Sequence, residues 1–586
     1  MKLFDWLDDR TGYRDFMHEA LDEPIPGGAR WAYVWGSALT LTLIIQAVTG
    51  VLLMTAYAPS ATTAWSSVMY IQHQMSAGWI VRGLHHFGAQ AMVVLLAMHL
   101  GQTAIYGAYK KPREMNWFFG LGLMGLTLGF ALTGYLLPWD QKGYWATKVA
   151  TNIAGSLPLI GAWTQELLVG GADYGHLTLS RFYALHVAVL PIGTLVLLTL
   201  HIAMFRRHGV TPPTSANIKH VDRFYPKQVA LDLAIGLSIF IILGYLSYQF
   251  HGAPLDGPAD PASDYPARPE WYFLALFEAL KFVPGQIEWV VAGGIPLLLG
   301  GYLVALPFID RGPSTALRPR LKYLAPLGIV GLLSVGLTYS SISSDKKDPS
   351  FGKAIERAEK QAARAVTLAK RGVPPDGPLA MLARDPHTAG PALFEKLCAS
   401  CHRMGDMGPE KGKNTAADLT DFGRAAWVIR VLDNPDDPMM FGRTPFKGMM
   451  PSFTRPPADK EEAEYFTKIT PADQKAVVDF LVAQAHGKAD KGSKGEEIVS
   501  LRCTSCHRVD GETDDDESLA PELRGWASRA WIEAQIRNPG SGKTYPAEAM
   551  DDKLEGHMPG FADQLSDDQI KLIAQWMSDL ITDAPK

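Results

Sequence analysis

The chain has 586 residues, 47% of them hydrophobic and 20% charged, with a formal net charge of −5 and a mean hydropathy of +0.01. At roughly 150 residues per domain, three or four domains are predicted. Several apolar runs reach the ~20 residues that cross a bilayer as a helix, which excludes a wholly soluble enzyme. The lack of a clustered Lys/Arg stripe excludes a nucleic-acid binder. The acidic excess falls in residues 345–586, which reads as a soluble module.

The chain opens on an amphipathic segment, Lys2 to Leu21, in which Phe4, Trp6 and Leu7 alternate with charges, as an interfacial helix does. No cleavable signal peptide is read ahead of the first span. Seven transmembrane helices are predicted: Trp31 to Ala56, Gly78 to Tyr106, Trp117 to Leu137, Tyr183 to Phe205, Val229 to Tyr248, Trp289 to Phe308 and Leu324 to Tyr339. The N-terminal segment and the second, fourth and sixth connections carry most of the basic residues, among them Lys110, Lys111, Arg113, Arg206, Arg207, Arg318 and Arg320. The opposite side carries Arg82, Lys142, Lys148, Arg181, Arg268 and Lys281. The positive-inside bias therefore places the N-terminus in the cytoplasm and the tail after Tyr339 outside.

Four intramembrane histidines demand a reason, because ionisable residues at that depth are functional by default. His85 and His99 lie 14 residues apart on the second helix, and His186 and His201 lie 15 apart on the fourth. Fourteen residues make nearly four turns and rise about 21 Å, so His85 and His99 face one way at two depths. The fifteenth residue adds about 100°, and Pro191 is the expected place for a kink that restores alignment. Two such helices can clamp two haems by bis-histidine ligation. His86 points about 100° from His85 and is read as structural. Gly36 and Gly50, and Gly120 and Gly134, repeat the 14-residue interval on the first and third helices. A missing side chain there lets a flat macrocycle approach the backbone.

Arg82-Gly83-Leu84-His85, the histidine pairs, Gly134-Tyr135-Leu136-Leu137-Pro138-Trp139 and Pro269-Glu270-Trp271-Tyr272 together resemble cytochrome b of the quinol-oxidising cytochrome bc complexes. The wider spacing of His186 and His201, the stretch Asp140-Gln141-Lys142-Gly143-Tyr144-Trp145 and the end at a seventh helix resemble the photosynthetic-type branch, whose two parts are here fused. The resemblance implies a four-helix dihaem bundle in residues 1–208 and a three-helix part in residues 209–344. It implies that His85 and His186 hold a low-potential haem near the outside and that His99 and His201 hold a high-potential haem near the cytoplasm. It also implies a cofactor-binding role for Arg82. Glu270 would accept a proton from quinol at the outer site, with Tyr272 and Tyr135 nearby, and Arg206 and Asp232 would serve the inner quinone site. Val34 stands where relatives attach a further haem through cysteine, so no covalent third haem is expected, and Gln102 stands where relatives carry arginine.

Residues 345–390 read as a linker, helical over Phe351 to Lys370 and irregular over Gly372 to Pro386. Two repeats follow, 391–487 and 488–586. Cys398-Ala-Ser-Cys401-His402 recurs as Cys503-Thr-Ser-Cys506-His507, Trp427 as Trp531, Asn434-Pro435 as Asn538-Pro539, and Met450-Pro451 as Met558-Pro559. A C-x-x-C-H motif attaches a c-type haem. Its two thiols form thioethers, His402 or His507 is the proximal ligand, and Met450 or Met558 is the soft sixth ligand that raises the potential. Met439, Met440, Met449 and His557 are the competitors. Each repeat resembles a small helical cytochrome c domain.

The whole reads as an all-α, polytopic quinol–cytochrome c oxidoreductase subunit with two non-covalent b-type haems and two covalent c-type haems. It would sit in a bacterial inner membrane with its c domains periplasmic. The expected partners are the quinone pool and lipid, a second copy in a homodimer, a terminal oxidase or soluble cytochrome c, and a separate Rieske iron–sulfur protein, since this chain has no Cys/His cluster for one. The first c haem is expected to receive electrons from the Rieske protein. The second, beside an acidic run from Asp514 to Glu517, is expected to deliver them. The rival reading is a haem-bearing membrane anchor that conducts electrons for a partner enzyme without bifurcating them.

Overall fold

The computed structural model describes residues 3–458, 460–464, 466–488, 490–510, 519–550 and 557–582. The acidic run after Asp514 lies outside them. The chain divides into two compact units, Met1–Leu379 and Ala380–Lys586.

In the first unit, seven helices among the described residues are long and apolar enough to cross a membrane: α1 (Trp31–Met54), α2 (Gly78–Tyr106), α3 (Glu114–Leu136), α4 (His176–His208), α5 (Phe224–Gln249), α6 (Gly285–Ile309) and α7 (Leu317–Lys347). Helix α1 packs along α2 and α3 along α4, while α5 lies against both α1 and α2. The two pairs leave an elongated cavity between them. Many apolar side chains on the later helices point outward, such as Leu297, Leu298 and Leu332, each about three-quarters exposed. Such a surface is stable against lipid tails rather than water. The opening segment forms two short helices, Leu3–Thr11 and Tyr13–Leu21, parted at Gly12, whose φ of 61° ends the first of them.

The extra residue between His186 and His201 is absorbed differently from the expected kink. A π turn over Leu185–Val189 precedes the α-helix Leu190–His208. One i→i+5 closure takes up one residue, so 15 positions serve as 14. Pro191 has no N–H to give the carbonyl of Val187, which lowers the cost of changing register there.

Beyond the packing of α5 on α1 and α2, a strand pair and a buried charge cluster help fasten the N-terminal and C-terminal parts of this unit. Strand β1 (Pro24–Pro26) pairs antiparallel with β2 (Val221–Arg223), with Ile25 opposite Asp222. Near the start of α7, Asp310 accepts from Tyr109 and Lys110 (both 2.6 Å), which lead into α3, and from Arg320 at 2.9 Å. Arg320, Tyr109 and Asp310 are almost fully buried.

The segment expected as a linker is in large part structured. Helix α7 runs on to Lys347, and Arg268 donates twice to Asp345, each at 2.8 Å. Helix α8 (Pro349–Ala369) buries Ala362, Ala365 and Ala369 and packs on the short helix Ala64–His73. A stripe of alanines on an otherwise charged helix is enough to dock it, so residues 345–369 belong to the membrane unit.

The second unit contains α9 (Pro386–Leu397), α10 (Ala425–Asp433), α11 (Pro471–Ala485), α12 (Lys494–Arg502), α13 (Arg529–Arg537) and α14 (Asp567–Thr582). One continuous apolar core runs through both repeats, from Phe394 to Ile581. Separate repeats were expected from the sequence; instead α9 packs on α14 and α11 on α12. The two most extensive helix pairings of this unit therefore each draw one member from each repeat, while α13 also packs on α14 and α10 on α11 within their own repeats.

Replacing Asp310 with Ala strands the buried Lys110 and Arg320 charges. The membrane unit should lose about 3–5 kcal/mol of stability, read as a lower unfolding midpoint in detergent. An unchanged midpoint would show that the fastener carries no weight.

Candidate functional site

The four intramembrane histidines meet in two layers. The rings of His85 and His186 have centroids 6.3 Å apart, and so do those of His99 and His201. With a metal–imidazole bond of about 2 Å on each side, the gap would fit one metal ion. Every glycine of the 14-residue pattern faces one of these rings. A Cβ on Gly50 would stand 3.3 Å from His85, on Gly134 2.6 Å from His186, on Gly36 3.5 Å from His99 and on Gly120 3.3 Å from His201. The cavity around the rings has a volume of about 1100 Å³ and is walled mainly by apolar side chains. Flat groups with an iron at the centre, held between paired imidazoles over bare backbone, fit this cradle.

Three of the four rings are oriented through Nδ1, which leaves Nε2 to face the cavity. Thr49 Oγ1 lies 2.9 Å from His85 Nδ1 and Thr133 Oγ1 3.0 Å from His186 Nδ1. The carbonyl of Asn116 lies 3.0 Å from His201 Nδ1. Such partners fix the tautomer and raise ligand basicity. Thr49 and Thr133 each immediately precede a cradle glycine, a Thr-Gly signal that was open to sequence reasoning and unused. His99 Nδ1 is buried without a partner.

The outer-site candidates line the same cavity. Glu270 Oε1 pairs with Lys142 Nζ at 3.0 Å, and its other oxygen accepts from Gln90 at 3.3 Å. Gln90 in turn accepts from the Trp271 indole at 2.7 Å. Tyr135 lies with its ring 5.7 Å from Lys142 Nζ and its hydroxyl buried without a partner. Tyr272 stacks edge-on against Trp271. Arg82 also borders the cavity, but its guanidinium is spent on Gln72 and on the carbonyls of Ala253 and Pro254. Its role here is to tie the loop after α5 to the histidine helix. At the other end of the cavity, Arg206 pairs with Glu23 at 2.6 Å. Asp232 is buried and accepts from Gln228 at 3.0 Å. Burial raises the Glu23 carboxyl above its usual range, against the pull of Arg206. Glu23 and Gln90 have no local signature, and the pairing of Lys142 with Glu270 has none, because the partners come from distant elements.

In the second unit, each C-x-x-C-H motif follows the end of a helix, α9 or α12. His402 Nδ1 lies 2.8 Å from the carbonyl of Ala417, and His507 Nδ1 lies 2.9 Å from that of Pro521. Burial lowers both imidazoles, which favours the neutral form that a metal ligand needs. Burial also pushes the Cys398 and Cys503 thiols up to about 11. No disulfide joins the four cysteines. Met450 and Met558 both pack partly buried against the core. Of the competitors, Met440 is sealed in the core at 1% exposure and Met449 is 47% exposed.

Family comparisons agree with this division. Residues 20–209 match Cytochrome b/b6/petB, 258–349 match Cytochrome b(C-terminal)/b6/petD, and 387–485 and 492–580 each match Cytochrome c. A curated relative, cytochrome b6 of Synechococcus sp. (strain JA-3-3Ab), is 39% identical over 212 residues, which is 36% of this chain and 99% of that protein. Among solved structures, a chain of "Hyperthermophilic respiratory Complex III" aligns with a TM-score of 0.51 and 26% identity, covering 63% of this chain and 97% of that one.

Removing the hydroxyl that orients His186 tests the support. Thr133→Val should weaken retention of one b-type haem by about 10–100-fold, read as a falling b-to-c ratio during detergent washing. A ratio equal to that of the unsubstituted protein would contradict it.

Proposed function

The chain belongs to the cytochrome b/b6 family, and from that premise we propose that it is the cytochrome b–cc subunit of a quinol–cytochrome c oxidoreductase. In this reading it oxidises quinol at the outer site with bifurcation of the two electrons, reduces quinone at the inner site, and adds to the proton motive force. The observation that carries the proposal is the single cavity itself. It holds two imidazole layers, with Glu270, Tyr135 and Tyr272 at one end and Arg206 and Asp232 at the other.

Bound between the imidazoles, the b haems would carry one electron of each quinol across the membrane, while the c haems carry the other outward to an oxidase or soluble cytochrome. The residues handle protons and position. Glu270 is the carboxylate poised to take a proton from a quinol hydroxyl, a role that needs hydrogen-bond reach before anything else. Lys142 and Gln90 fix its two oxygens until substrate enters. The apolar walls exclude water, which strengthens every charge interaction inside. At the far end, Asp232 and the Glu23–Arg206 pair can deliver protons to a reduced quinone. A separate Rieske protein completes the outer site, and the chain lies in a bacterial inner membrane with its N-terminus cytoplasmic.

Glu270→Gln keeps the shape and removes the proton acceptor. Inhibitor-sensitive quinol oxidation should slow by about 10²–10⁴-fold with all haem spectra intact; undiminished turnover would assign the proton to another group. In alkaline pyridine the pure protein should show b and c haem in equal amounts, and acid–acetone should extract only the b type. A c excess, or b haem that resists extraction, would break the ligand assignment.

A further inference from the structure

In the second unit the two repeats do not stand side by side as closed bodies. Helix α9 of the first repeat lies on α14 of the second, and α12 of the second lies on α11 of the first. Both crossings are close because both use glycine. A Cβ on Gly390 of α9 would stand 2.6 Å from the Trp576 Cβ of α14, and a Cβ on Gly495 of α12 would stand 2.6 Å from the Phe480 Cβ of α11. His387 adds a 3.0 Å bond to Asp579 across the first crossing.

The centre of the unit is shared in the same way. The Phe422 and Trp526 rings, at matching places in the two repeats, have centroids 5.2 Å apart. Trp427 lies 5.5 Å from Trp526, and Phe422 lies 6.3 Å from Trp531. Each outer indole reaches the support of a proximal histidine. Trp427 Nε1 donates to the carbonyl of Asp418, the neighbour of the Ala417 carbonyl that holds His402. Trp531 Nε1 donates to the carbonyl of Glu522, the neighbour of the Pro521 carbonyl that holds His507. The backbone N–H of Gly525 donates to the Gln484 side-chain Oε1 at 3.1 Å and again joins the repeats.

We propose that the two c repeats are one interlocked unit. Each repeat supplies the helix that closes the other, and the Phe422–Trp427–Trp526–Trp531 cluster couples the two histidine supports. Neither repeat then completes its core alone, and the two haem sites assemble together. The coupling of haem sites rests on the c-haem reading above; the interlock stands on helix packing alone.

The test uses the full haem-loaded protein with a site-specific protease sequence placed in the connector 487–492. After cutting, the fragment with Cys503 and Cys506 should stay on washed membranes with the fragment bearing Cys398 and Cys401, and leave only in denaturant. Release under native conditions would overturn the interlock, whatever the haem content. Denaturing gels of the cut protein then read the covalent haem of each repeat separately. Gly495→Val, a change in the second repeat, should reduce haem stain on the Cys398 fragment as well as on the Cys503 fragment. Loss confined to the Cys503 fragment would overturn the coupled assembly. If neither fragment stained in the unsubstituted protein, the c-haem reading would fail while the membrane-retention result still judged the interlock.

Discussion

The constraint on which the membrane unit depends is the register between imidazole and glycine. A porphyrin-sized group can lie between two helix pairs only where both walls are bare backbone and both axial directions end in a ring nitrogen. Four helices satisfy this twice, at two depths, because His85 and His99 share a face after nearly four turns and the π turn before Pro191 brings His186 back into line with His201. The rest of the unit serves that geometry. Thr49, Thr133 and the Asn116 carbonyl hold the rings, Arg82 ties in the loop after α5, and the Asp310 cluster binds the later helices to the haem-bearing bundle.

Under the proposed function, the same cavity would serve both quinone sites. One end presents a carboxylate already fixed between a lysine and a glutamine, and the other presents a buried aspartate beside an arginine–glutamate pair. Charges of this kind are costly inside an apolar wall unless paired, so their pairing here is itself a requirement of the site. Lys142 and Gln90 anchor Glu270, and in the proposed function quinol entry would exchange one polar partner for another.

Much of this was legible in the sequence, because haem ligation imposes spacing. The histidine and glycine intervals, the two C-x-x-C-H motifs and the Pro-Glu-Trp-Tyr run are local patterns fixed by helix geometry or covalent chemistry. What escaped was long-range or compensatory. The π turn replaces a kink because a proline changes register as readily as it bends. Lys142 is far in sequence from Glu270, and Glu23 from Arg206, so neither pair has a periodic signature. The exchange of helices in the c unit leaves no trace in the repeats, since helices with the same apolar face pack equally well on their own repeat or its twin. The docking of α8 was hidden by its charges, which mask three buried alanines.

The central claim is bifurcation, and the transient response of the b haems to an oxidant tests it most directly. The complex, with its Rieske partner, is mixed with quinol while the inner site is blocked, and a pulse of oxidant for the c haems is added. If each quinol must give one electron to the high-potential branch and the other to the His85/His186 layer, oxidising the c haems should drive reduction of the b haems. If the b haems instead become oxidised together with the c haems, the chain conducts electrons in a single line and the account is wrong.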